Sequence, residues 1–243
     1  MLGEGLKMKG LLQYHFSIFL RSYRYLPPLS LFLMFLIVNY TYKPNPIVDS
    51  YSFTSIMLFF IMGWFTVTVF HAEDVGQKQI TLLHLKNRKK YYIALFIGCS
   101  LIGLCLSSFS VAYPIIFNMF GAQPRPVHII IGILSHLSLT ILAIALSALF
   151  TRDLVKNKGD TWWGVLSILI ISVAIAPMKS MILQVKGLIW LFPPVHLSLE
   201  MMSSKDTIKS MPGLFYWQFG WIFLYGFLVM GLFFLLLKRK STN

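Results

Sequence analysis

Few residues of this chain could do chemistry, and most that could lie in one stretch, 73–90, reading EDVGQKQITLLHLKNRKK. It opens with two acids, Glu73 and Asp74, bends at Gly76 and continues through a mixed segment, 77–85. It closes on Lys86, Arg88, Lys89 and Lys90. Ile80, Leu82, Leu83 and Leu85 would form an exposed apolar cluster, which marks a contact surface. A solvated connector, or a segment resting on lipid, are the plainer alternatives. His136 is the second candidate. Apart from Cys99 and Cys105 it is the one ionisable side chain deep inside an apolar run. A residue so placed contacts a substrate or relays a proton, or is a neutral imidazole bonded to a neighbouring helix. The second is favoured, because polar side chains commonly bond across membrane helices.

The remaining chemistry is thin. Cys99 and Cys105 are six apart, off the i+3/i+4 neighbour spacing of a helix. Two buried thiols are expected, neither a disulfide nor a metal site. There is no G-x-x-x-x-G-K-[ST] phosphate loop, so the chain is not expected to be its own ATPase. There is no H-E-x-x-H pair and no nucleophile elbow. No expected span carries Asp, Glu, Lys or Arg in its interior, although ion- and proton-coupled carriers use such groups as relays. An intramembrane enzyme is disfavoured, no catalytic, cofactor-binding or metal-binding residue is assigned, and any driving energy must arrive from elsewhere.

The elements that must position these residues are apolar. The chain has 243 residues, 57% hydrophobic and 12% charged, with a mean hydropathy of +0.72. A soluble domain carries about 25% charged residues. Apolar runs recur along the whole length, so residues 1–243 are read as one all-α polytopic membrane domain. A crossing takes about 20 apolar residues, and six spans are expected, at about 27–42, 51–72, 91–120, 127–150, 161–177 and 213–237. Residues 73–90 then form a loop between the second and third.

Residues 7–26 read as a helix in the membrane interface. At about 100° per residue, Lys9, Gln13, Ser17, Arg21 and Arg24 share one arc, and Leu11, Leu12, Ile18, Phe19 and Leu26 lie opposite. Pro27 and Pro28 start the next helix. That first span is short, and its ends are expected to rely on Tyr40 and Tyr42. Pro114 is expected to kink or end the third span, Ala143, Ser147 and Ala148 to permit close packing in the fourth, and Trp162 and Trp163 to mark the interface at the fifth. Residues 178–212 read as a broken segment in the outer leaflet. Glu73 and Asp74 follow a helix C-terminus, where the dipole disfavours anions, so Arg21, Arg24 or Arg88 is expected to pair with them.

The net charge of +13 sits between the apolar runs, as topology determinants do, and nucleic acid is not an expected partner. Lys7, Lys9, Arg21, Arg24, Lys78, Lys86, Arg88, Lys89, Lys90, Arg152, Lys156, Lys158, Lys238, Arg239 and Lys240 fall on one side. Lys43, Arg125, Lys179, Lys186, Lys205 and Lys209 fall on the other. The excess places both termini in the cytoplasm. No A-x-A-like cleavage site follows the first apolar stretch, so it is expected to remain.

The order of these features resembles the permease subunits of type-2 ATP-binding-cassette exporters, the class that moves drugs, peptides and polysaccharides outward. The likeness covers most of the chain. A basic interfacial helix precedes the first span. The loop after the second span carries an acid, a glycine, a T-L-L run, basic residues and a tyrosine: Glu73, Gly76, Thr81-Leu82-Leu83, Arg88-Lys89-Lys90 and Tyr91. A broken segment, Leu191-Phe192-Pro193-Pro194-Val195-His196-Leu197, precedes the last span.

The resemblance implies a bacterial cell-membrane protein working with a separate ATPase subunit, which holds ATP and Mg, and with a second permease subunit in a homo- or heterodimer. Residues 77–85 would be the coupling helix. Glu73, Asp74, Gly76, Gln77, Lys78, Thr81, Leu82, Leu83, Leu85 and Arg88 would couple to the ATPase. His136, Pro193, Pro194 and His196 would line the pathway or its outer exit. Spans rich in Phe, Leu, Ile and Met suit an amphipathic peptide or lipid-like substrate better than a sugar polymer. A channel or secondary carrier working alone, and a membrane protein conferring immunity to a peptide, are the other readings.

Overall fold

The computed structural model describes residues 2–85, 87–155, 157–182, 188–202, 206, 208 and 210–240. Lys86, Lys156, Lys186, Lys205 and Lys209, counted among the topology charges, lie outside them. The regular elements among the described residues are all helical: α1 (Leu2–Arg21), α2 (Leu26–Asn39), α3 (Ile47–Phe70), α4 (Val75–Leu85), α5 (Arg88–Ile116), α6 (Pro126–Ala148), α7 (Lys158–Ile182), a 3-10 turn (Leu188–Leu191), α8 (Val195–Met202) and α9 (Gly213–Lys240).

Among the described residues, five helices are long and apolar enough to cross a membrane: α3, α5, α6, α7 over Gly159–Met178, and α9. The expected first span is the apolar α2, but it has 14 residues and reaches only about 21 Å, against a hydrocarbon core of about 30 Å. Proline explains where it starts, since Pro27 and Pro28 occupy its first turn. Tyr40 is buried against Tyr113 and Phe120, whereas Tyr42 is exposed, so only one of the two expected anchors faces outward. Pro114 ends α5 rather than breaking it: the helix stops at Ile116, and the Met119 N–H bonds back to the Pro114 carbonyl at 2.9 Å.

The centre of the bundle is α3 against α6. Small residues let them approach, as van der Waals packing between membrane helices requires. A Cβ on Gly132 would lie 2.9 Å from the Tyr51 ring, and one on Gly63 would meet Leu169 and Ser147. Ala143, Ser147 and Ala148 are all fully buried. A Cβ on Gly226 would meet Ile141 at 3.1 Å, so α9 leans on the far side of α6. At one end of the bundle the α2–α3 and α5–α6 turns are joined by Asn45 N–H to Met119 O (3.1 Å) and Gly121 N–H to Asn45 O (3.0 Å). α4 lies at the other end.

α1 departs from the expected interfacial helix in its bounds and in what covers its apolar face. Lys9, Gln13, Ser17, Arg21 and Arg24 are exposed as expected. The opposite stripe, Leu11, His15 and Phe19, is buried against protein. His15 meets the Tyr91 ring edge-on at 4.8 Å and Phe19 meets Phe65 at 6.2 Å. The helix stops at Arg21, so Leu26 belongs to the next helix and is exposed. Cys99 is buried, but Cys105 is exposed. Six residues turn a helix by about 240°, which puts the two thiols on different faces and corrects the expectation of two buried ones.

Candidate functional site

The stretch 73–90 becomes a helix bolted down on one face and open on the other. Asp74 starts it. Its carbonyl accepts the Lys78 N–H at 2.9 Å, and its Oδ2 accepts the Gly76 N–H at 3.3 Å. The acid expected to strain the C-terminus of α3 therefore sits at the N-terminus of α4, where the dipole favours it.

Glu73 turns inward and is 2% exposed. None of the three arginines expected beside it pairs with its carboxylate, which is met by hydroxyls instead. Oε1 accepts from Tyr14 Oη and Thr81 Oγ1, each at 2.6 Å, and Oε2 accepts from Tyr91 Oη at 2.6 Å. Burial of a carboxylate is tolerable because charge-assisted bonds replace its water. These bonds join α1, α4 and α5 at a single side chain. Burial, and then Glu73 itself, push the Tyr14 phenol pKa up. Arg24 donates to the His71 carbonyl at 3.1 Å, and Arg88 is exposed.

Lys78 is the second bolt. It is buried, with Nζ over the Tyr91 and Tyr92 rings at 5.2 and 5.1 Å, where ring quadrupoles attract a cation. It forms an ion pair with Asp153, in the turn after α6. Burial pulls the Lys78 pKa down, and Asp153 opposes that shift. The same turn is held at three more points. The Arg152 N–H donates to His71 Nε2 at 2.9 Å, and the Arg152 guanidinium donates to the Glu73 carbonyl. Lys240, at the end of α9, donates to the Asp153 carbonyl at 2.8 Å. His71 lies one residue past α3, and burial followed by the neighbouring Arg152 lowers its pKa to about 4.

The sequence-assigned coupling residues thus divide by face. Glu73 and Lys78 point inward. Thr81, Leu82 and Leu85 are half-buried, the two leucines against the core. Asp74, Gly76, Gln77, Leu83 and Arg88 are exposed. The open apolar surface of α4 is Val75, Ile80 and Leu83, at 55%, 59% and 77% exposure. Beside it, between α1 and α4, runs a groove of about 1000 Å³ lined by Leu11, Tyr14, Ile80, His84 and Leu85 among others.

His136 lies apart from this joint and is fully buried. Nδ1 faces the Gly132 carbonyl at 2.7 Å, which requires Nδ1 to donate, and Nε2 faces Thr54 Oγ1 at 3.0 Å. Both nitrogens are engaged, which favours the structural role weighed for it. Next to it, Ser135 bonds Ser198 at 2.6 Å and Ser55 at 3.4 Å, tying α8 to α6 and α3. Pro193, Pro194 and His196 are buried at the start of α8.

Sequence reasoning missed Asp153 and Asp206. Asp206 accepts the Ile47 and Val48 N–H groups, each at 2.9 Å, and so caps α3 from 158 residues away. The signal available was scarcity: the chain has only eight acids, so each one outside an exposed turn needs a partner. Comparisons with protein-family models, with curated proteins and with solved structures return no match.

Proposed function

We propose that this chain is the transmembrane subunit of an ATP-driven exporter of the type-2 ATP-binding-cassette kind. It would sit in the bacterial cell membrane with both termini cytoplasmic and with α2 completing six spans. One observation carries the reading: α4 offers Val75, Ile80 and Leu83 outward while its other face is locked, through Glu73 and Lys78, to α1, α5 and the turn after α6. A force on the open face is thereby passed to several long helices at once, because the bonded carboxylate and the ion pair leave α4 little freedom to move alone.

In this reading a separate ATPase, holding ATP and Mg, docks on α4 and its α1 groove. A second permease subunit, identical or related, completes the pathway, and an amphipathic peptide or lipid-like compound is moved outward. Lys78 then acts as an internal anchor rather than a contact to the ATPase. Nothing favours an autonomous carrier centred on His136, since its nitrogens are occupied by Gly132 and Thr54.

The test is co-purification of the tagged chain with the ATPase encoded beside it, for the parent and for Ile80→Asp/Leu83→Asp. Both changes lie on the open face, so the double variant should fold and fail to hold the ATPase. Equal recovery of the ATPase with both proteins, or none with the parent, would count against the reading.

A further inference from the structure

Most charges around α4 are already committed. Glu73 is held by three hydroxyls, Lys78 by Asp153 and Arg152 by the Glu73 carbonyl. Arg24 is held by the His71 carbonyl and Lys240 by the Asp153 carbonyl. Lys90 is half-buried and already engaged. Asp74, Arg88 and Lys89 remain. All three are exposed, and none forms an ion pair among the described residues. Arg88 is near enough to Tyr92 for its charge to be felt there.

These three lie at the two ends of α4. Asp74 immediately precedes it, and Arg88 and Lys89 follow its last residue, Leu85, by three and four positions. The first turn of α5, which carries both cations, is fixed by Asn87, whose side chain accepts the Lys89 and Lys90 N–H groups at 3.0 and 3.4 Å. The opposite charges are separated by the length of α4, 11 residues or about 16 Å. Between them Val75, Gln79 and Leu83 follow at four-residue steps along one face, with Ile80 beside them, and all four are exposed.

A strip that is acidic at one end, apolar along its middle and basic at the other fits a partner with the opposite polarity. An anionic membrane surface would attract Arg88 and Lys89 but repel Asp74. An amphipathic helix meets all three parts. Its apolar face covers Val75, Ile80 and Leu83, and its own dipole favours acids at one end and cations at the other, about three turns apart over 16 Å. We propose that α4 receives an amphipathic helix of the ATPase, acidic at the end that meets Arg88 and Lys89 and basic at the end that meets Asp74. The proposal rests on the reading of α4 as the docking helix and adds the chemistry and direction of what docks. Charges at the edge of an interface fix register and speed encounter more than they add affinity, so association is the quantity to measure.

The test measures binding of the candidate ATPase encoded beside this chain to the full chain in nanodiscs, by surface plasmon resonance at low and high salt. Arg88→Gln/Lys89→Gln should slow association about tenfold at low salt. Asp74→Asn, which keeps an acceptor for the Gly76 N–H, should slow it about threefold. Both losses should shrink at high salt, and both should be the same in phosphatidylcholine nanodiscs as in nanodiscs that contain phosphatidylglycerol. Melting of the isolated chain should not change, since the three side chains are exposed. Parent-like association by both variants would overturn the polarity of the strip and leave ATPase docking intact. A loss confined to phosphatidylglycerol nanodiscs would assign Arg88 and Lys89 to lipid headgroups and overturn it as well. No binding by the parent would overturn the docking reading and the proposed helix with it.

Discussion

Glu73→Ala should loosen α4. The change removes the acceptor for three hydroxyls at once. Tyr91 is 1% exposed, and its hydroxyl would be left buried and unpaired, which costs about 1–3 kcal/mol. Tyr14 and Thr81 are only part-buried and can turn to water, so each loses the net worth of one hydrogen bond, about 0.5–1 kcal/mol. The sum is about 2–5 kcal/mol, or about 5–15 °C in melting temperature for a domain of this length. Glu73→Gln keeps an acceptor for two of the three hydroxyls and should cost less than half as much. The assay is thermal melting in detergent together with amide exchange over residues 75–85, because local opening of α4 should speed exchange there before the long helices respond. If Glu73→Ala melts like the parent and α4 exchange is unchanged, the buried carboxylate is not what holds the helix.

Three further outcomes follow from the same geometry. Asp153→Ala strands the Lys78 charge between two rings and should cost about 3–5 kcal/mol, much of it recovered in Lys78→Met/Asp153→Leu, as a double-mutant cycle would read. His71 and His15 both have pKa values held near 4, well under the ordinary 6.5. The unfolded chain therefore binds the extra protons first: their contribution to stability is complete above pH 6.5 and lost as pH falls toward 4. His71→Asn, which keeps an acceptor for the Arg152 N–H, should flatten that acid limb in denaturant titrations run between those pH values. Gly132→Ala drives a methyl into the Tyr51 ring where α6 meets α3 and should cost about 1–3 kcal/mol, whereas Gly231→Ala should be close to neutral in the same unfolding measurement.

The all-helical architecture was legible because hydropathy and proline report directly on where a helix can run. The starts at Leu26, after a basic stretch, and at Gly213, after a proline, follow that rule. The span count was less so. Residues 27–42 are mostly apolar, but the chain turns at Tyr40, and composition alone does not say that a helix stops there. The short helix in 73–90 could be placed from its punctuation, Asp74 before it and basic residues after it, although Gly76, expected to bend the chain, lies within the first turn of α4. Its internal division could not. Lys78 and Glu73 are buried by partners at Asp153, Tyr14 and Tyr91, which no periodicity within the segment encodes. The dipole at the end of α3, taken alone, calls for arginines; the N-terminus of α4 takes Asp74, and Tyr14 and Tyr91 meet Glu73 instead. His15 shows the same limit, since a helix with one polar face looks alike whether lipid or protein covers the other.

The most direct test of the proposed function measures ATP hydrolysis and transport in nanodiscs by this chain with a candidate ATPase encoded beside it, compared between the parent, Leu83→Asp and Glu73→Ala. Leu83 is the most exposed apolar side chain of α4. Leu83→Asp should therefore leave melting of the isolated chain unchanged while weakening assembly and turnover. Glu73→Ala should assemble but hydrolyse ATP without transport, since the lever would be loose. Normal assembly and turnover with Leu83→Asp would contradict α4 as the docking helix, and full coupling with Glu73→Ala would contradict the buried joint as the path of force.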